Sequence, residues 1–226
     1  MATAFRATTK GYRSDLEQHE RRLLSSLCAD VITLLETRDE ETREAADSST
    51  GEPGNSGDPA EDPAFAHFRA ELAGLGGEEP LAAPDDAVLR RLLPDAFTDE
   101  EESGHFRRLS ENSLRGAKIA DLRTARMLLE SSPIHVDDNM APIFGRALND
   151  LRLTLATRLE LETEQDAERI HALAVKSGSK NSEAFMAEIY TFITWLQESL
   201  FGAMTEFLPE PGDSESAQGP DGEASA

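Results

Sequence analysis

The sequence predicts a mainly α-helical bundle, and three observations support this fold class. Leucines and other apolar residues recur three and four positions apart in several long stretches. Residue types that favour helix starts precede these stretches, and prolines separate several of them. Strands are suggested only near the N-terminus, where the residues around Gly11 can form a short β-hairpin.

The first long helix is predicted from a capping box at its start. In Ser14-Asp15-Leu16-Glu17, the Ser14 oxygen can accept a backbone N–H while Glu17 reaches back. Apolar residues follow at helical spacing: Leu16, Leu23, Leu24, Leu27, Cys28, Val31, Leu34 and Leu35. This pattern is typical of an amphipathic helix that buries one face.

Two segments have a composition that does not favour folding. Residues 47–62 and 209–226 are rich in Gly, Pro, Ser and acids, which cannot bury enough apolar surface to offset chain entropy. We therefore expect a single helical domain, residues 1–208, with a disordered linker inside it and a disordered acidic tail after it.

Further helices are predicted after the linker. The first two cover residues 63–74 and residues 84–94. The later ones have predicted N-terminal caps or starts at Ser110, Asp137 or Asp138, Thr163 and Ser182. The helix that begins at Ser110 is expected to reach Glu130, before Pro133.

The helix after Asp138 is apolar around much of its circumference. One narrow stripe holds Phe144, Leu148, Leu151, Leu155 and Leu159. We interpret this segment as a central helix buried on more than one side, with Arg146, Arg152 and Arg158 as solvated flanking charges. Arg146 is expected to pair with Asp150, four residues on. The alternative is that the three arginines together bind an anionic partner.

The charge of the chain argues against nucleic acid as an independent ligand. Its 226 residues carry 22 Lys and Arg against 44 Asp and Glu, a formal net charge of −22, which repels DNA and anionic lipid. Residues 103–158 are locally basic, with nine cations and six acids, so the remainder of the chain carries −25. No helix-turn-helix, zinc-finger or RNA-binding pattern is present. We expect weak or no DNA binding by the protein alone, no membrane binding, and a protein partner.

The candidate partner-binding residues come from this basic region and from the last predicted helix. They are Arg107, Arg108, Arg146, Arg152, Arg158 and Trp195. The last helix is apolar over more than half its circumference, which indicates core packing, with docking of another chain as the alternative. A homodimer also stays open.

Signatures of catalysis and of metal binding are missing from the sequence. The five histidines are scattered, one cysteine cannot build a thiolate zinc site, and the Gly-rich residues 74–77 lack the Lys and Ser/Thr of a phosphate loop. We therefore expect no enzymatic activity, no cofactor and no metal.

Cys28 is the one candidate redox residue. A single cysteine excludes an internal disulfide and is typical of a reducing cytoplasm, where we expect this protein, since no apolar run suggests a signal peptide or a membrane span. Because Cys28 lies on the apolar stripe of the first helix, we interpret it as a small buried hydrophobe.

The motifs RRLLPDAFTDEEESGHFRRLSENSL, ALNDLRLTLATRLEL and TWLQESL, in this order, carry a family resemblance. The chain is similar to the actinobacterial AosR-type oxidative-stress transcriptional regulators. The resemblance implies a helical cytoplasmic protein that influences transcription through RNA polymerase or a sigma factor. Genes of this family tend to lie near one for a ClpS-like adaptor, so an accessory role in regulated proteolysis is the alternative.

The redox account of that family invokes a Cys-x-x-x-Cys pair. At the corresponding offsets from Cys28 this chain has Leu24 and Ile32. A switch through an internal disulfide is therefore impossible here.

Overall fold

A computed structural model of the protein describes residues 2–49, 80–175 and 182–206. Within these ranges there are three short strands: β1 (Arg6–Thr8), β2 (Gly11–Ser14) and β3 (Ile134–Val136). The helices are α1 (Gln18–Ser49), α2 (Ala87–Leu92), α3 (Glu100–Leu128), α4 (Met140–Arg158), α5 (Glu164–Val175) and α6 (Ser182–Thr205). The predicted mainly α-helical bundle with an N-terminal hairpin is confirmed.

Several sequence predictions fall on residues outside the described ranges. These are the helix at residues 63–74, the tail at residues 209–226 and most of the linker at residues 47–62. The part of the linker that is described corrects the prediction, because residues 47–49 continue α1 to Ser49. The acidic and polar composition that suggested a linker is also compatible with the end of a long helix.

Helix α4 lies at the centre of the bundle. It packs against α1, α2, α3 and α6 and also touches β3. The predicted stripe is buried along its whole length, from Phe144 to Leu159. Ala141 and Ala147 are fully buried as well and allow close approach of neighbouring helices. The prediction of a central helix buried on more than one side is confirmed.

The hairpin belongs to a three-stranded antiparallel sheet of order β1-β2-β3. Tyr12 pairs with Ala7 in β1 and with Val136 in β3. Sequence analysis missed β3, because three residues are too few for a periodic pattern to show. The sheet closes one end of the bundle, where Phe5 packs edge-on against Phe144 with ring centroids 5.9 Å apart.

Two predicted helix starts are wrong. Helix α3 begins at Glu100, and the Asp99 carboxylate accepts the N–H of Glu102 at 2.9 Å. Ser110 lies inside the helix and donates to the carbonyl of Phe106. The acidic first turn of α3 explains this early start, because carboxylates there interact favourably with the helix dipole.

The capping box at Ser14 is the second wrong start. Ser14 ends β2, and its hydroxyl donates to the carbonyl of Thr3 at 2.7 Å. Helix α1 begins at Gln18, and the Glu20 carboxylate accepts the Glu17 N–H at 2.7 Å. Ser14 therefore pairs with β3 as a strand residue, and the predicted capping box does not form.

The predicted caps at Asp137 and Thr163 and the predicted start at Ser182 are confirmed, and Asp86 is a further cap that the sequence did not predict. Asp86 caps α2 by accepting two backbone N–H groups. Asp137 accepts the N–H of Asn139 and of Met140 at the start of α4. Thr163 and Asp166 form a reciprocal capping pair at α5.

No helix in the described ranges combines the length and the apolar character needed to cross a bilayer.

Substitution of Gly11 by Ala tests the packing of the sheet. Gly11 has φ +106°, and an added Cβ would meet the carbonyl of Val136 and lie 2.7 Å from the Cα of Asp137. We expect a loss of about 1–3 kcal/mol or more in the free energy of unfolding, because the backbone conformation disfavours a side chain and β3 must move. Urea denaturation measures this loss.

Gly116→Ala is the matched control. Gly116 lies in α3, and nothing comes within 4 Å of a Cβ added there. This change should stabilise the protein by about 0.5–1 kcal/mol, because alanine is the better helix former. Equal effects at the two glycines would contradict the close approach of β3 to the turn.

Candidate functional site

A buried ion network is the most prominent polar feature of the structure. The Glu111 side chain on α3 is 2% exposed and accepts hydrogen bonds from three arginines. Arg38 Nε donates at 3.0 Å, Arg107 Nη1 at 2.8 Å and Arg115 Nη1 at 3.2 Å. Arg107 and Arg115 lie one turn before and after Glu111, whereas Arg38 comes from α1. The network therefore joins α1 to α3.

The arginines of the network also bind groups around it. Arg115 pairs with Asp39 on α1. Arg107 donates to the carbonyl of Leu93 at 3.0 Å and to the Asp95 carboxylate at 2.7 Å. Arg38 donates to the carbonyl of Ala82 at 2.6 Å. The chain on both sides of α2 is thus tied to α1 and α3.

Hydrogen bonds within this network shift two pKa values. The bond from Arg107, assisted by one from Ser103, holds the pKa of the Asp95 carboxyl below its usual value. Burial alone would lower the pKa of Arg107, but its bonds to Glu111 and Asp95 outweigh burial and raise that pKa. Both partners therefore stay charged. Arg107, a candidate partner-binding residue from the sequence, is therefore paired inside the protein with Glu111 and Asp95.

A second ion cluster lies between α3 and α4. Arg146 binds Asp121 through two hydrogen bonds, from Nε at 2.7 Å and from Nη2 at 3.0 Å. Asp150 is buried and bonds to Lys118 Nζ at 2.7 Å. The predicted pair of Arg146 with Asp150 is therefore wrong, because each residue finds a partner on α3. Burial raises the pKa of Asp150, and the ammonium of Lys118 opposes that shift.

The other candidate cations are held less tightly. Arg152 Nη2 donates to Asn149 at 3.2 Å, and the guanidinium of Arg158 lies 3.7 Å from the carboxylate of Asp86. Arg108 is partly buried and also has an interaction partner. Arg146, Arg152 and Arg158 thus each have a different polar neighbour, namely Asp121, Asn149 and Asp86.

Cys28 lies in the hydrophobic core at 1% exposure. Burial raises the pKa of its thiol to about 12, although the guanidinium of Arg126 partly opposes this shift. A thiol with so high a pKa is a poor nucleophile at neutral pH.

Trp195 is on the outer face of α6. Its ring stacks on Phe192 with centroids 6.0 Å apart, and 38% of the residue stays exposed. Phe185 and Phe201 on the same helix are also exposed. The opposite side of α6, including Ile193, is buried, so this helix both builds the core and presents aromatic rings to solvent.

An apolar groove runs between α1 and α4, with a volume of about 370 Å³. We call it the α1/α4 groove. Its lining residues are Leu27, Asp30, Val31, Thr33, Leu34, Thr37, Leu151, Thr154, Leu155 and Arg158. Sequence analysis missed it, because a groove depends on how two helices separate and not on the pattern of either one. Arg158 is the only predicted site residue in its lining.

Within the described ranges, no group of three or more His, Cys, Asp or Glu side chains is arranged to hold a metal ion.

Glu111→Gln tests the importance of the buried network. The amide keeps the size of the side chain but removes the charge that balances three arginines. We expect a loss of about 3–5 kcal/mol in the free energy of unfolding, because buried cations are left without their counter-charge. Chemical denaturation of the purified variant measures it.

Glu36→Gln is the control for Glu111→Gln, because Glu36 also pairs with an arginine, Arg123, at 2.7 Å, but both side chains are largely exposed. That change should cost less than about 1 kcal/mol. Similar losses from the two variants would show that the buried network is dispensable.

The thiol of Cys28 should react with a labelling reagent only when the protein unfolds. Its raised pKa also predicts a pH dependence. The unfolded thiol has a pKa of about 8.5. The folded state therefore holds the thiol proton more tightly, and stability should fall as the pH rises from about 8.5 towards 12.

Cys28→Ala should remove this part of the alkaline loss of stability, which denaturation curves of the two proteins between about pH 8 and about pH 11 would measure. Rapid labelling of the native wild type would show that the thiol is accessible and would contradict its burial.

Comparisons with known proteins identify the family. No curated protein and no solved structure matches the chain. One family model, described as a domain of unknown function (DUF2017), matches residues 2–204, which includes every strand and helix of the structure except the last residue of α6. The chain belongs to the DUF2017 family.

Proposed function

We propose that this protein is a transcriptional regulator of the oxidative-stress type that acts through protein–protein contacts. Its partner would be RNA polymerase or a sigma factor, and the protein would not read DNA on its own. The class of function rests on the resemblance to the AosR-type regulators. The mode of action rests on how the charges are used in the fold.

The internal pairing of cations carries the preference for protein contacts. In the locally basic region, Arg107, Arg115 and Lys118 bind buried or partly buried carboxylates. Arg123 and Arg146 are more exposed themselves, but they also bind carboxylates, those of Glu36 and Asp121. Binding of a DNA phosphate by these residues would require breaking intramolecular ion pairs, against the overall repulsion of a −22 chain. The modest basic excess seen in the sequence is therefore not a free basic surface.

Exposed apolar residues supply a different kind of surface. Phe97 and Phe106 form an edge-to-face ring pair 5.7 Å apart, and both remain nearly half exposed. Trp195 and the α1/α4 groove add further apolar area. Aromatic side chains and apolar pockets are enriched at the centres of protein interfaces. This combination supports a protein partner.

Affinity capture of the full chain from oxidised and unoxidised cells, read by mass spectrometry, tests the function. We expect subunits of RNA polymerase or a sigma factor to be enriched, and the enrichment to change with oxidation. Capture of Clp components without polymerase or sigma subunits would replace this proposal with an accessory role in regulated proteolysis.

A gel shift with the protein alone is the companion measurement. We expect weak binding of duplex DNA with no sequence preference at physiological salt. A sequence-specific complex that resists salt would show that the protein reads DNA directly.

A further inference from the structure

The α1/α4 groove lies on the side of two parallel helices. Helix α3 is antiparallel to α1, because Arg38 pairs with Glu111 whereas the earlier Glu36 pairs with the later Arg123. It is also antiparallel to α4, because Lys118 pairs with Asp150 whereas the later Asp121 pairs with the earlier Arg146. Helices α1 and α4 therefore run in the same direction, and only these two line the groove. This is the position that a further helix would take beside a helix pair.

The surface of the groove is apolar. Val31, Leu151 and Leu155 are at most 6% exposed and form its floor, and the half-buried Leu27 and Leu34 stand beside them. The threonine hydroxyls are already used within their own helices. Thr33 and Thr37 each donate to the carbonyl four residues earlier, and Thr154 donates to the carbonyl of Asp150. These three hydroxyls therefore need no water or ligand as a hydrogen-bond acceptor.

The dimensions of the groove suit a short helix. On α1 it extends from Leu27 to Thr37, which corresponds to about 15 Å along the helix axis. An occupying helix would span roughly three turns over this length and insert apolar residues spaced three and four positions apart.

The charges near the groove are mostly negative. Asp30 is exposed in its lining and makes no ion pair within the part of the chain that the structure describes. Further along α1, Glu40 is exposed on the adjoining turn, and the neighbouring Glu41 is exposed but lies 3.6 Å from the guanidinium of Arg38. Arg158, at the same end of the groove, lies near Asp86, which reduces its effect. A ligand with positive charges beside its apolar residues is therefore complementary to this surface.

We propose that the α1/α4 groove binds an amphipathic helix of a partner protein whose apolar stripe is flanked by lysines and arginines. This inference rests on the proposed function in one respect, namely that the partner is a protein. A second copy of this chain is a poorer fit, because its own α1 would bring the same carboxylates into contact with Asp30 and Glu40.

A designed peptide tests the proposal with the full-length protein. The probe is a fluorescent, lysine-rich amphipathic helix of about 15 residues with leucines three and four positions apart. Two matched peptides replace either the lysines with glutamates or the leucines with serines. We expect saturable binding of the first peptide, measured by fluorescence anisotropy, and much weaker binding of the other two.

Substitutions in the groove then locate the binding site. Thr33→Trp places a large ring at an exposed position of the lining and should weaken binding about tenfold or more. Its control is Ser113→Trp, at an exposed position of α3 outside the groove. Asp30→Lys should weaken binding about threefold to fivefold, whereas Glu188→Lys, on α6, makes the same change in net charge and should have little effect.

Several outcomes would overturn the proposal. Equal binding of the lysine and glutamate peptides would remove the charge argument, and equal effects of Thr33→Trp and Ser113→Trp would place the site elsewhere. Concentration-dependent dimerisation lost in Thr33→Trp would assign the groove to a second copy. Binding of a small apolar dye without any peptide binding would make it a small-molecule site. Peptide binding only after deletion of residues 50–79 would assign it to that segment.

This test is independent of the proposed cellular role. If the peptide binds but no polymerase or sigma subunit is captured from cells, the groove stands and the transcriptional role fails. If those subunits are captured equally by the wild type and by Thr33→Trp, the role stands and the groove is not its interface.

Discussion

The charge balance at Glu111 is the constraint on which the arrangement of this protein depends. One buried carboxylate faces three guanidinium groups, and two further carboxylates, Asp39 and Asp95, complete the balance from its edges. Charges removed from water are tolerated only when their partners are fixed in position. The network therefore sets the register of α1 on α3 and holds the chain around α2 against both helices.

This network also limits what the basic residues are free to do. Residues 103–158 contain more Lys and Arg than Asp and Glu, which suggests a basic surface in an otherwise acidic chain. In the fold, most of these cations lie against carboxylates of α1, α3 or α4. The remaining distinctive features of the surface are apolar, namely the exposed aromatic rings and the α1/α4 groove. Recognition of another protein is the use that such a surface supports best.

The sequence predicted those parts of the fold that depend on periodicity within one segment. The leucine stripe of α4 and the apolar face of α1 are visible from spacing alone, and both are buried. Helix caps were predicted less accurately than buried faces, because strand pairing or an earlier helix start can override a local capping pattern. Serine is a favourable residue for a helix cap, but Ser14 belongs to strand β2. Ser110 lies inside a helix that begins earlier, after the cap Asp99.

The candidate site was less predictable than the fold. Arg107 and Arg115 each lie four residues from Glu111, so their pairing could have been read from the sequence. Arg38 comes from 73 positions away, and nothing local indicates it. Likewise, Arg146 has an acid four residues on, but the carboxylate of Asp121 on the neighbouring helix binds it through two hydrogen bonds. Contacts between helices decided the partners of Arg38 and Arg146, and a single sequence does not encode such contacts as a local pattern.

The attachment of the N-terminal strand has a consequence for how the protein is made. The Phe5 N–H donates to Ser199 on α6, β2 pairs with β3, and the Phe5 ring packs on Phe144. Residues 5–14 thus acquire their partners only after residues 134–199 have been synthesised. Contacts so distant in sequence slow folding, and the apolar side of the nascent α1 stays uncovered during elongation. Timely completion of translation is therefore part of what protects this domain from misassembly.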